Sequence, residues 1–270
     1  MTASDVSPPP SSQPGGRKTA LPGFEEMLGT LVGTSSVSCT NDSYDRSNID
    51  VINHLANWLS DLGMHTQVQE VETGNRNKKA NLIATAGPAG TDDPNGIPEG
   101  LALAGHSDTV PCNESQWQRE PFTLTNDDNR FYGLGACDMK GFFPVALEAL
   151  ATHDLTKLKK PITLVATSDE ESSMAGARFL SEQRSVKARA CIVGEPTSLQ
   201  PVYAHKGIMM MSIRLQGASG HSSNPELGRN ALDAMHAVMS ELIAFRTELA
   251  TNWQNPGFDV QVPTLNLGCM

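Results

Sequence analysis

The chain has 270 residues, 39% hydrophobic and 19% charged, which is enough for a substantial core in one large domain or about two smaller ones. A net charge of −10 and a pI near 5.1 argue against a nucleic-acid or anionic-membrane surface, since both partners need a basic patch. The five cysteines (Cys39, Cys112, Cys137, Cys191, Cys269) are scattered and never spaced as CxxC, so neither a disulfide framework nor a thiolate zinc site is indicated. With no apolar run near the roughly 18 residues of a membrane span and no apolar signal-peptide core, a cytoplasmic location without membrane contact is expected.

Residues 1–20 are rich in Pro, Ser and Gly with little to bury, so a disordered tail is expected there. A helix is expected over 21–32. A second is expected over 46–62, where Ile52, Leu55, Ala56 and Leu59 form one apolar stripe and Gly63 stands ready to end it. HTQVQEV, ANLIATA and LALAG read as strands, with the turn-rich segment 86–100 as a surface loop between the last two. GLGACDMKG then enters a buried helix, FFPVALEALATHD, whose Pro144 is tolerated in the first turn. PITLVATS reads as a strand, DEESSMAGARFLSEQ as a helix and ACIVG as a strand. Alternation of this kind implies crossover units, a mainly parallel sheet and helices on both faces.

After Pro201 the pattern changes. Met209, Met211, Ile213 and Leu215 alternate with Met210, Ser212, Arg214 and Gln216, as in a strand with one solvated face. A long helix is expected from Pro225 to Leu249, capped by Asn224, with Leu232, Met235, Met239, Leu242, Phe245 and Leu249 on one face. The expected organisation is a tail (1–20), a catalytic α/β domain (21–200) and a smaller α+β domain (201–270).

Three strand candidates end on ionisable groups: LALAG on His106, ITLVATS on Asp169, Glu170 and Glu171, and ACIVG on Glu195. In an open parallel sheet the carboxyl ends share one edge, where ligands bind, so these residues can converge, and Asp138 in the glycine turn can join them. Asp108, two residues past His106, can fix its tautomer. One imidazole and several carboxylates without a thiolate suit zinc, cobalt or manganese, and a shared carboxylate allows two ions about 3.5–4 Å apart. Glu170 and Glu171, being adjacent, are expected to point differently and to take different roles. Cys137 is read as a buried packing residue. Gly133, Gly135 and Gly141 lack the G-K-[ST] ending of a phosphate loop.

GHSDTVP, GLGACDMKG, DEESSMAGARFL, GEPTSLQPVYAHKG and GASGHSSNPELGRNA, in that order, resemble the co-catalytic zinc aminoacylase and carboxypeptidase family. The resemblance implies a zinc-peptidase-like catalytic domain with a lid and dimerisation domain, hydrolysing the amide of an N-acylated amino acid. It implies that His106 binds one zinc, that Asp108 orients it, that Asp138 bridges two ions and that Glu195 completes the first site. Glu171 would bind the second ion, Glu170 would be the proton-shuttling base, and His221 would reach from a partner subunit to steady the oxyanion. Two zinc ions per complete subunit are implied, with cobalt as a substitute, and a homodimer through the lid. In the family a further C-terminal part carries the last ligand histidine. The motifs here run only to VPTLNLGCM, so the resemblance covers about the N-terminal two-thirds and leaves Asp138 and Glu171 as the second ion's ligands. Close relatives that cleave other acyl groups or dipeptides, and a chain that binds one metal or dimerises without turnover, remain alternatives.

Overall fold

The computed structural model describes residues 21–73, 77–89 and 98–268. The expected tail over 1–20 and residues 90–97 of the turn-rich loop lie outside the described residues. The chain divides into two compact units, one ending at Leu199 and the other beginning at Gln200.

In the first unit, helices α1 (Phe24–Gly33) and α2 (Ile49–Asp61) precede strands β1 (His65–Val71), β2 (Lys79–Ala86) and β3 (Leu101–His106). A short hairpin, β4 (Thr125–Asp127) and β5 (Arg130–Tyr132), leads to α3 (Phe142–Ala151), β6 (Ile162–Thr167), α4 (Ala175–Gln183) and β7 (Ala190–Val193). Five strands form one sheet in the order β1-β2-β6-β3-β7. Strand β3 pairs in parallel with β6 and β7, while β2 is antiparallel to both β1 and β6. Hence β1, β6, β3 and β7 point one way and β2 is reversed, the mostly parallel α/β sheet expected.

Both faces are covered. Ala80, Leu82, Ala84 and Ala86 of β2, with Leu164 and Ala166 of β6, pack against Met27 and Leu31 of α1, the α2 stripe, and Phe143, Leu147 and Leu150 of α3. Ile83 and Val165, the alternate residues, meet Leu180 of α4 on the other face. The α2 stripe of Val51, Ile52, Leu55, Trp58 and Leu59 is buried, each side chain worth about 1.5–3 kcal/mol of transfer free energy. Gly63 ends α2 at φ +86, donating to Ser60 O at 2.8 Å while Met64 donates to Leu59 O at 3.0 Å. That paired capping geometry needs a left-handed residue, so glycine is the residue that fits.

Helix α2 begins three residues later than the pattern suggests, because Asn48 serves the sheet instead. Its amide donates to Ala80 O at 2.7 Å and to Ser107 Oγ at 2.7 Å, and it accepts from Ala80 N–H at 2.9 Å. Helix α4 likewise begins at Ala175 rather than at Asp169. Asp169 and Met174 are left-handed (φ 54 and 56), and the amides of Ser173 and Met174 both donate to Asp169 O, which closes a turn in place of a helical start. The β4–β5 hairpin carries no sequence signal because three-residue strands show no period; its turn residues Asp128 and Asn129 are left-handed.

The second unit holds a short 3-10 turn (Pro225–Leu227) and α5 (Ala231–Asn252). Asn230, not Asn224, caps the long helix, accepting from Leu232 N–H at 2.9 Å, because Gly228 is extended and breaks the run after the turn. The alternating segment 209–216 forms no ladder among the described residues, and Met209, Met210 and Met211 are all exposed. A strand exists only with a hydrogen-bonding neighbour, and alternation alone does not supply one. No residue of the apolar face expected on α5 is fully buried, and Leu232 and Phe245 are exposed.

Candidate metal centre

The order β6-β3-β7 sets three carboxyl ends side by side with β3 in the middle. His106 is the last residue of β3, opposite Thr167 of β6; Glu170 and Glu171 lie in the turn beyond β6, Glu195 lies just beyond β7, and Asp138 comes from the turn before α3. His106 is buried, and its Nε2 is 3.1 Å from Asp138 Oδ1, 3.8 Å from Glu195 Oε1 and 4.0 Å from Glu170 Oε2. Among the described residues, two sets have ligand atoms within 4.8 Å of one another: His106, Asp138 and Glu195, and His106, Glu170 and Glu171. Both adjacent glutamates therefore reach the same imidazole, although adjacency suggested divergence. The left-handed Asp169 ahead of them removes the alternation that a strand would impose.

The imidazole is held by a main-chain group. His106 Nδ1 is 3.0 Å from Asp108 O, and a carbonyl only accepts, so Nδ1 carries a proton and, in the neutral ring, Nε2 turns its lone pair to the acids. The carboxylate expected to fix this tautomer does something else. Asp108 Oδ1 is 3.7 Å from Nδ1, and the Asp108 oxygens accept the amides of Glu170 at 3.2 Å and Glu171 at 3.1 Å. Asp108 thus anchors the glutamate turn to the end of β3.

Two glycines let α3 and α4 approach the strand ends. A Cβ on Gly194, just before Glu195, would collide with the Phe142 ring. A Cβ on Gly176 would lie 2.5 Å from Asn81 Oδ1. Asn81 donates to Gly176 O at 2.9 Å and accepts from Ser168 N–H at 3.0 Å, tying the glutamate turn to β2. The buried polar residues Asn48, Lys79 and Asn81 were missed from the sequence; the signal was a lysine and an asparagine inside an otherwise apolar strand. Cys137, expected to be buried packing, is exposed, since the turn presents it outward beside Asp138.

The electrostatics are those of acids without enough partners. Burial raises the Asp108 carboxyl, with His106 and the two amides acting against it. Burial opposes charge on His106, yet Asp108, Glu170, Glu195 and Glu171 together hold it above its ordinary value. Burial, then repulsion from Asp138, Glu170 and Asp108, pushes the Glu171 carboxyl up to about 7 against the pull of His106. Glu195 is raised by the same combination, burial first. Lys140, from the glycine turn, is engaged elsewhere: it donates to Leu31 O at 2.8 Å and Thr34 O at 2.7 Å, and burial pushes it down to about 7.

A divalent cation fits this donor set. A neutral His106 would set a lone pair against Asp138 Oδ1 at 3.1 Å, and surplus carboxylates surround it, so a positive charge is what the arrangement lacks. His221 belongs to the second unit and is exposed; its Nδ1 accepts Ser223 N–H at 3.2 Å, so in the neutral ring Nε2 carries the proton. A cleft of about 720 Å³ lies at the opposite sheet edge, where Ala86 and Leu158 line it, away from these groups.

An α/β sheet whose carboxyl edge gathers one imidazole and several acids is a metal-centre architecture. The profile of peptidase family M20/M25/M40 matches residues 102–261, and the chain belongs to that family. Over 251 residues it is 49% identical to a protein of Pectobacterium carotovorum subsp. carotovorum and 48% identical to one of Salmonella heidelberg, both named acetylornithine deacetylase. Each alignment covers 93% of this chain, which spans 63% of the length of those relatives. Among solved structures, a Staphylococcus aureus tripeptidase is similar at TM-score 0.50 and 18% identity, over 80% of this chain and 55% of that one. An M20 family metallo-carboxypeptidase of Sulfolobus solfataricus is similar at TM-score 0.50 and 18% identity, over 64% and 37%. These two share the fold.

Proposed function

We propose that this chain carries the metal-binding catalytic domain of an amide hydrolase that converts N2-acetyl-L-ornithine to acetate and L-ornithine. The observation that carries the metal reading is His106, whose proton is fixed on Nδ1 by Asp108 O while Nε2 faces Asp138, Glu195 and Glu170. The relatives' names support the substrate.

In this reading His106, Asp138 and Glu195 hold one ion, zinc or its substitute cobalt, and Asp138 and Glu171 hold a second. The ions supply Lewis acidity, polarising the amide carbonyl and making water acidic enough to lose a proton near neutral pH. Glu170 accepts the proton of the attacking water as its oxygen bonds to the acetyl carbon, then returns it to the departing ornithine nitrogen as the C–N bond breaks. Asp108 keeps Glu170 in place through its amide. His221, with its proton on Nε2, donates to the carbonyl oxygen as negative charge develops there, reaching it from a partner subunit in a homodimer formed through residues 201–270. This activity places the protein in arginine biosynthesis, in the cytoplasm. Among the described residues no helix is long and apolar enough to cross a membrane.

The test is metal counting by plasma mass spectrometry together with release of the free amine from acetylornithine and from succinyl-diaminopimelate. The reading expects bound divalent metal, lost in His106→Ala, and preference for acetylornithine. An unaltered chain that binds no divalent metal would refute the metal centre, and preference for the succinyl substrate would refute the assignment of acetylornithine.

A further inference from the structure

We propose that Lys79 is a positioning residue that aims Glu170 and Glu171 at His106 by holding Asp169. The register of β2 on β6 pairs Leu82 with Ala166, and continuing it outward sets Lys79 opposite Asp169, at the head of the glutamate turn. The Lys79 ammonium is fully buried and has three acceptors for its three protons: Asp45 Oδ1 at 2.8 Å, Asp169 Oδ1 at 2.9 Å and Arg46 O at 2.6 Å. Asp169 Oδ1 also accepts from Ser38 Oγ at 3.0 Å, whereas its buried Oδ2 has no hydrogen-bond partner. Fixing this carboxylate fixes the residue at φ 54, from which the chain turns so that the amides of Glu170 and Glu171 meet Asp108.

A buried ion network is not needed for stability, since apolar residues of similar volume serve as well or better. What this one specifies is the direction of a turn. Lys79 touches neither glutamate, and Asp138 and Glu195 stand on other elements, so its loss acts on one set of acids and spares the other. The aim of the turn is a property of the protein alone; its consequence for metal rests on the metal reading above.

The test is Lys79→Met, measured two ways. Hydrogen exchange with chelator present isolates the turn: the peptide covering 168–174 exchanges at least about tenfold faster in the variant, while peptides from β3 and α3 stay within about threefold. A Co2+ titration gives a double-mutant cycle: Glu171→Gln weakens binding at least about tenfold when Lys79 is present and less than about threefold in the Lys79→Met background. An unchanged 168–174 peptide, or uniform acceleration throughout the unit, overturns the proposal, as does a Glu171→Gln effect that persists in full. If the unaltered chain takes up no Co2+, the metal reading fails and the exchange result alone decides for or against Lys79. Should Lys79→Met not fold, the neutral set Asp45→Asn, Lys79→Met, Asp169→Asn leaves no charge in this network and is read by the same exchange criterion.

Discussion

Raising the pH from about 4.5 to about 7 with a chelator present lowers the stability of this chain, opposite to the usual behaviour of paired carboxylates. Glu171 ionises near 4.5 when unfolded and near 7 when folded, so across that interval the folded state keeps a proton that the unfolded state has released. The unfolded state then binds fewer protons and stability falls as pH rises. Asp108 and Glu195 are raised too, and His106 above 6.5 acts in the same direction. At about 1.36 kcal/mol per pH unit a fully buried Glu171 would contribute about 3 kcal/mol; solvent screening of a half-buried carboxylate cuts this to about 1 kcal/mol. That is a fall of about 2–4 °C in Tm for a domain of this size. Above pH 7 the trend ends, because Lys140, pushed down to about 7, adds stability as pH climbs towards its ordinary 10.5. Scanning calorimetry in EDTA measures the slope, and Glu171→Gln flattens it and raises Tm at pH 7.5. Added Co2+ reverses the sign, since ligands bind metal only when deprotonated. A Tm that rises with pH in EDTA, or a Glu171→Gln chain less stable at pH 7.5, would show that Glu171 is not destabilised by its neighbours.

Under the proposed function, Glu170→Gln keeps Co2+ affinity within about threefold but slows release of free amine from acetylornithine at least about 10²-fold, as loss of a general base does; a matching loss of metal would exchange the roles of Glu170 and Glu171. Gly194→Ala drives a methyl into Phe142, costs about 1–3 kcal/mol in urea unfolding and displaces Glu195, weakening Co2+ binding; unchanged stability and affinity would show that the ring moves freely aside. Asn48→Ala strips both main-chain groups of Ala80 and costs about 2–4 kcal/mol, read as a lower urea midpoint at constant m; a loss under about 1 kcal/mol would mean water replaces the amide.

The edge that builds the site was legible because apolar runs ended on ionisable residues three times, and a parallel sheet aligns such ends. His106, Glu170, Glu171 and Glu195 were found in this way, Asp138 by its place in the glycine turn before a helix, and all have ligand atoms near the imidazole. The turn geometry was not legible. Asp169 at φ 54 is set by Lys79 and Asp45, the latter far away in sequence, and no local period encodes a long-range ion pair. Asp108 misled for a related reason: its position two residues past His106 fits a tautomer-fixing carboxylate, but its own carbonyl reaches Nδ1 first and frees the carboxylate for the glutamate amides. The methionine strand failed because alternation describes a face, whereas a ladder needs a partner.

The fold satisfies some of its acids and leaves others to a ligand, and the division follows position. Asp45 and Asp169, behind the edge, share Lys79; Asp108, at the end of β3, takes two amides. Lys140, close enough for Asp108 to influence it, spends its hydrogen bonds on the carbonyls that end α1 rather than on any acid. Asp138, Glu170 and Glu195 are left paired with the one imidazole, which cannot neutralise three carboxylates with a single proton. A lysine redirected to this edge would lower the repulsion and compete with any cation for the same oxygens. The buried lysines are therefore placed where they fix direction without supplying charge to the mouth of the site, and a divalent ion is the group that the remaining acids select.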